Sequence, residues 1–158
     1  KNQLIKTLSI CAGHYGLAGG QYFDLTFENK NISKKNIINM QKGKTGKLFG
    51  FCTESVGIIK NLDSKKLKNL KDLGLNIGLL FQIMDDLIDY RGDSKVVGKP
   101  TNRDAKKGKA TLVNLLGYEP TLNFAYNLKN KIDLQIKKYG SKAKDLSDSV
   151  QFILDRKY

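Results

Sequence analysis

Leu79-Leu80-Phe81-Gln82-Ile83-Met84-Asp85-Asp86-Leu87-Ile88-Asp89 is an apolar lead into three carboxylates crowded within little more than one helical turn. Like charges at such spacing repel, so the cluster does not serve stability. The apolar lead predicts a helix that passes through the protein and presents the acids at its wall. At about 3.6 residues per turn, Asp85 and Asp89 share one face, Asp86 projects roughly 100° away, and Gln82 lies one turn before the pair. Carboxylates and an amide along one side of a helix are oxygen donors suited to a hard divalent cation. Mg²⁺ takes one or two carboxylates from a protein and fills its shell with water and phosphate oxygens. The competing reading is a solvated acidic helix face.

The helix that carries the acids is expected to begin after Asp63 or Ser64 and to reach about Tyr90. Its buried stripe would be Leu67, Leu70, Gly74, Ile77, Phe81, Met84 and Ile88. Upstream, a first helix runs to about Phe27, with Gly13, Gly16, Gly19 and Gly20 forming a small face for close approach by a helix or ligand. Ser33 is a good N-cap for a second helix, with Ile32 and Ile37 as its hydrophobic staple. Gly43 and Gly46 bracket Lys44 and Thr45, which predicts a kink there and continuation to about Ile59.

Downstream, Arg91 to Lys109 reads as a long basic loop, a kind of segment that is usually functional in a compact domain. Three helices follow, around Thr111 to Leu116, Pro120 to Lys138 and Lys144 to Arg156. No strand, repeat or low-complexity linker is evident. The expected architecture is all-α, a helical bundle in a single domain over residues 1–158.

With 158 residues, 40% of them hydrophobic, the chain can build one real core. No apolar run is long enough to cross a bilayer. Lys1 and Asn2 have no apolar core behind them, so no signal peptide is expected, and the lack of an initiator Met suggests natural sequence before Lys1. Cys11 and Cys52 have neither metal spacing nor disulfide-rich company and read as reduced, buried thiols of a cytoplasmic protein. His14, the one histidine, reads as a packing or polar-edge residue. Twenty-eight Lys and Arg against 15 Asp and Glu give a net charge of +13, which calls for an anionic partner: nucleic acid, a membrane surface or a phosphorylated substrate.

Four patterns stand in order: Gly20, Gln21 and Asp24; Lys44 and Thr45; Phe81, Gln82, Asp85, Asp86 and Asp89; and Gly98, Lys99, Asp104, Gly108 and Lys109. Together they resemble the C-terminal half of the trans-isoprenyl diphosphate synthases of the polyprenyl synthetase family, most closely the bacterial farnesyl diphosphate synthases. The resemblance runs from about Ala12 to the terminal segment. It implies the isoprenoid-synthase helical bundle. It also implies a prenyltransferase in which an allylic diphosphate loses its diphosphate and the resulting carbocation alkylates isopentenyl diphosphate. Mg²⁺ is the implied cofactor, for which Mn²⁺ can substitute, and a homodimer is implied for the full-length protein.

Residue by residue, the resemblance implies that Asp85 and Asp89 bind Mg²⁺, with Asp86 contributing through water or from behind. Lys44, Lys99 and Lys109 would hold diphosphate oxygens, and Thr45 and Gln82 would turn oxygens toward the developing cation. Gln21 and Asp24 would support the diphosphate and its waters. Arg91, Lys106 and Lys107 are left as solvated charges, and Arg156 as a frayed terminal charge or a contact to isopentenyl diphosphate. Asn102 stands where the family often has Gly, a position that Asn tolerates.

The family's first aspartate-rich motif, its arginine pair and its Gly-Lys-Arg site for isopentenyl diphosphate occur nowhere in the chain. The resemblance therefore implies a C-terminal half whose N-terminal counterpart is absent, inactive alone. Three rivals remain at this stage: a longer-chain synthase, a noncatalytic subunit of a heteromeric prenyl synthase, and a basic helical nucleic-acid-binding module. Retention of Lys44, Gln82, Asp85 and Lys99 argues against the second, and the lack of aromatics among the loop's basic residues against the third, so no nucleic-acid partner is expected.

Overall fold

The computed structural model describes residues 1–91 and 108–156. Among them the chain is all-α, without a strand. In order the elements are α1 (Asn2–Ala12), α2 (Leu17–Thr26), α3 (Lys34–Gln41), a π-helical turn (Lys42–Gly46), α4 (Lys47–Ile59), α5 (Ser64–Arg91), α6 (Leu112–Leu116), α7 (Tyr118–Ile136), a 3₁₀ segment (Lys137–Ala143) and α8 (Lys144–Asp155). The expected single domain packs as two compact units, 1–26 with 38–79 and 27–37 with 80–158, and α5 contributes to each.

The first helix expected from the sequence is in fact two. Gly13 leaves the helix with ψ near −157°, and α2 starts only at Leu17. The expected kink at Lys44 and Thr45 is the π turn, which joins α3 to α4 without a break in helical backbone. Ser33 Oγ accepts from the Asn36 amide at 3.3 Å, as its role of N-cap requires, and Ile37 is buried. Thr111 caps α6 in the same way.

In the first unit α1 packs on α4, and α2 on the π turn. The N-terminal half of α5 joins them through glycines. A methyl group on Gly74 would collide with the Phe49 carbonyl oxygen and the Thr53 hydroxyl, and would meet Gly50 Cα at 2.7 Å. Thr53 Oγ1 also donates to the Leu70 carbonyl at 2.6 Å, a bond open to it because the backbones approach so closely. Cys11 lies in this core and burial raises its thiol pKa, whereas Cys52, expected to be buried, is exposed.

In the second unit α7 packs on α6 and α8. Leu80, Ile83 and Leu87 of α5, Leu112, Ile132 and Val150 are each fully enclosed. The expected stripe on α5 is too narrow: from Leu73 to Asp89 only Leu75, Phe81, Gln82 and Asp85 are even half-buried, and the rest are buried. Over this stretch the helix keeps only a narrow accessible strip, which includes Gln82 and Asp85.

Asp63 opens α5. Its Oδ1 accepts from the Lys66 amide at 2.9 Å, and this bond, helped by the Lys66 side chain, holds its carboxyl below the ordinary 3.8. A depressed carboxylate stabilises the fold above its unfolded pKa and loses that contribution as pH falls through its folded one. The unfolding-midpoint difference between wild type and Asp63→Asn should thus be present at neutral pH and shrink on acidification below the ordinary carboxylate range. Gly74→Ala gains about 1 kcal/mol of helix propensity but overpacks a backbone contact at about 1–3 kcal/mol. A net loss of up to about 2 kcal/mol is expected in denaturant titration.

Candidate functional site

The residues singled out in the sequence fall into a group in each unit. In the first, the π turn carries Lys44 at its centre and Thr45 beside it, both half-buried. Gly20 of α2 lets this turn approach: a methyl there would fall on the backbone nitrogen of Lys44 and lie 2.6 Å from the Gly43 carbonyl carbon. One turn later Asp24, buried to 6% exposure, accepts the Lys44 ammonium at 2.7 Å. Two expected diphosphate contacts are thus brought together as an ion pair, with Gln21 half-buried on the same helix. Pairing across 20 positions leaves no local signature in the sequence.

In the second group, Gln82 Nε2 donates to Asp86 Oδ1 at 2.9 Å, one turn along α5. Asp86 and Asp89 are buried, while Asp85 stays partly accessible. Arg156 reaches Asp85 from the end of α8, its guanidinium 3.9 Å from Oδ1. The same guanidinium lies 4.0 Å from the centre of the Phe81 ring and donates through Nη2 to the Phe81 carbonyl at 2.9 Å. Burial lowers the Arg156 pKa, and the charge of Asp85 opposes that shift. A terminal charge left open between solvent and substrate in the sequence reading is therefore docked on the acid-bearing helix, 75 positions from Phe81. Arg91 is exposed, as expected of a solvated charge, and lies over the Tyr118 ring at 4.5 Å and 3.9 Å from the equally exposed Glu119.

Lys109 lines a cleft of about 410 Å³ with Lys30, Ser33, Thr111 and Asn114, and its carbonyl accepts from Asn114 Nδ2 at 2.9 Å. Gly108, at φ +64°, accepts the Asn29 amide at 2.8 Å, which ties the end of the basic segment to the α2–α3 connection. Lys99, Asn102, Asp104, Lys106 and Lys107 lie outside the described residues.

Among the described residues no three His, Cys, Asp or Glu side chains form a group that could hold a metal ion. Asp86 is engaged by Gln82, whereas Asp85 and Asp89 stand one turn apart on one helix face. Such a pair of hard oxygen donors fits a cation that takes two carboxylates and completes its shell from water and phosphate.

The fold and these residues define a class: all-α proteins that carry a carboxylate cluster on a buried helix and a lysine on a helix joint. A family model described as polyprenyl synthetase matches residues 2–150. The farnesyl diphosphate synthase of Micrococcus luteus is 36% identical over 119 residues, 75% of this chain and 41% of the relative. That of Bacillus subtilis is 31% identical over 135 residues, 85% and 43%. Among solved structures, the geranyltransferase from Helicobacter pylori complexed with magnesium and isoprenyl diphosphate matches with a TM-score of 0.81 at 31% identity, covering 97% of this chain and 50% of that one. The chain belongs to the polyprenyl synthetase family. It spans somewhat under half the length of the curated relatives it matches.

Gly20→Ala drives a methyl group into backbone that cannot rotate away, so a loss of about 2–3 kcal/mol is expected from the unfolding midpoint.

Proposed function

We propose that this chain supplies the diphosphate-binding part of a prenyltransferase that condenses an allylic diphosphate with isopentenyl diphosphate to a short-chain prenyl diphosphate of the farnesyl class. The observation that carries the reading is the row Gln82, Asp85, Asp86 and Asp89 on α5, in a chain whose family is established. The two curated relatives described above are farnesyl diphosphate synthases, which favours a short product.

A departing diphosphate leaves slowly unless the charge growing on its oxygens meets groups already held in place. Asp85 and Asp89 would hold Mg²⁺, which when bound supplies that neutralisation as a Lewis acid. Donation of the Gln82 amide N–H to Asp86 sets the direction of the opposite amide oxygen, the atom assigned to the developing allylic cation. That cation is also the target assigned to the Thr45 hydroxyl, held in the π turn. Lys44, Lys99 and Lys109 are assigned to diphosphate oxygens as point charges.

The test is a calorimetric titration of inorganic pyrophosphate into the chain with and without Mg²⁺. Binding is expected to require Mg²⁺ and to weaken at least about tenfold in Asp85→Asn and about tenfold in Gln82→Ala, where Asp86 loses its orienting partner. Pyrophosphate binding indifferent to Mg²⁺ would overturn the reading. The 158 residues hold one aspartate-rich cluster, so the chain alone is expected to bind without condensing. Prenyl product formed by the chain alone, and lost in Asp85→Asn, would contradict that expectation.

A further inference from the structure

Arg156 places a full positive charge beside a carboxylate to which the proposed function assigns a divalent cation. Its guanidinium is 3.9 Å from Asp85 Oδ1, an ion pair without a hydrogen bond, so no directional contact is lost if the two separate. The tighter grip is on Phe81, through the ring at 4.0 Å and the carbonyl at 2.9 Å. The docking has a built-in cost, since the buried Nε of Arg156 finds no hydrogen-bond partner although the side chain is only 9% exposed. A cation held with an unmet donor is poised on the helix and not locked to it.

Resting on the reading of Asp85 as a metal ligand, we infer that Arg156 is a resident counter-ion of Asp85 that competes with the divalent cation, so that cation binding loosens the last turn of α8 from α5. A guanidinium and a divalent cation near one carboxylate repel each other. The site therefore trades protein charge for metal charge: without metal the arginine offsets the crowding of Asp85, Asp86 and Asp89, and with metal that compensation becomes a penalty. The backbone of Arg156 continues α8 through a bond from its amide to the Phe152 carbonyl at 3.0 Å, so displacement of the side chain is felt in that turn.

The test is a calorimetric titration of Mg²⁺ into the full chain without diphosphate, alongside amide exchange of the α8 C-terminal turn. Arg156→Gln, which keeps an amide donor but removes the charge, is expected to tighten Mg²⁺ binding about tenfold, and Arg156→Lys to stay within about twofold of wild type. Saturating Mg²⁺ is expected to speed exchange in the α8 turn of wild type. Unchanged or weaker Mg²⁺ binding in a folded Arg156→Gln chain overturns the inference, as does Mg²⁺-independent exchange in wild type. Asp85→Asn separates the two layers: if it leaves Mg²⁺ affinity intact, the metal-ligand reading fails and takes the inference with it. If it weakens Mg²⁺ binding while Arg156→Gln does not tighten it, the inference alone fails.

Discussion

Charge at the buried end of a helix is the constraint around which this structure is arranged. From Leu73 to Asp89 α5 is largely enclosed, and it carries Asp86 and Asp89 into that environment with Asp85 at its accessible edge. A buried carboxylate without compensation is costly, and three acids within little more than one turn add mutual repulsion. The protein meets this locally: the Gln82 amide engages Asp86, and the Arg156 guanidinium stands near Asp85. Gln82 is placed by helical register, and Arg156 by its contacts with the Phe81 ring and carbonyl.

The other unit handles a cation by the same means. Lys44 is placed by a π turn and caught by the buried carboxylate of Asp24, and the close approach depends on the missing side chain of Gly20. An ammonium paired in this way is oriented, with donors remaining for an incoming anion. Gly74 does comparable work between α4 and α5, where the Thr53 hydroxyl reaches the Leu70 carbonyl. Close helix approach through glycine costs helix propensity and returns fixed positions for polar groups.

Much of the helical order was legible because its signals are local. Ser33 and Asp63 cap helices with hydrogen bonds of short sequence range, and the Gly43–Gly46 bracket gives the expected distortion. The long run of apolar residues in α5 also announced itself, though its burial is wider than one stripe. The break between α1 and α2 was missed, since clustered glycines can mark either close packing or an interruption and periodicity alone does not separate the two. The buried reading of Cys52 failed for a different reason: exposure depends on which elements become neighbours.

By itself the sequence determined the helical class, the helix carrying the acids, the kink at Lys44 and the order of motifs that points to the family. All of these follow from spacing over a few residues, where backbone geometry leaves few choices. Tertiary structure alone decided that Lys44 is paired with Asp24, that Asp86 is sunk in the core while Asp85 keeps some access, and that Arg156 lies on Phe81 beside Asp85. The residues of the Lys44 and Arg156 contacts are 20 and 75 positions apart, brought together by the burial of apolar helix faces whose pattern does not encode the partner.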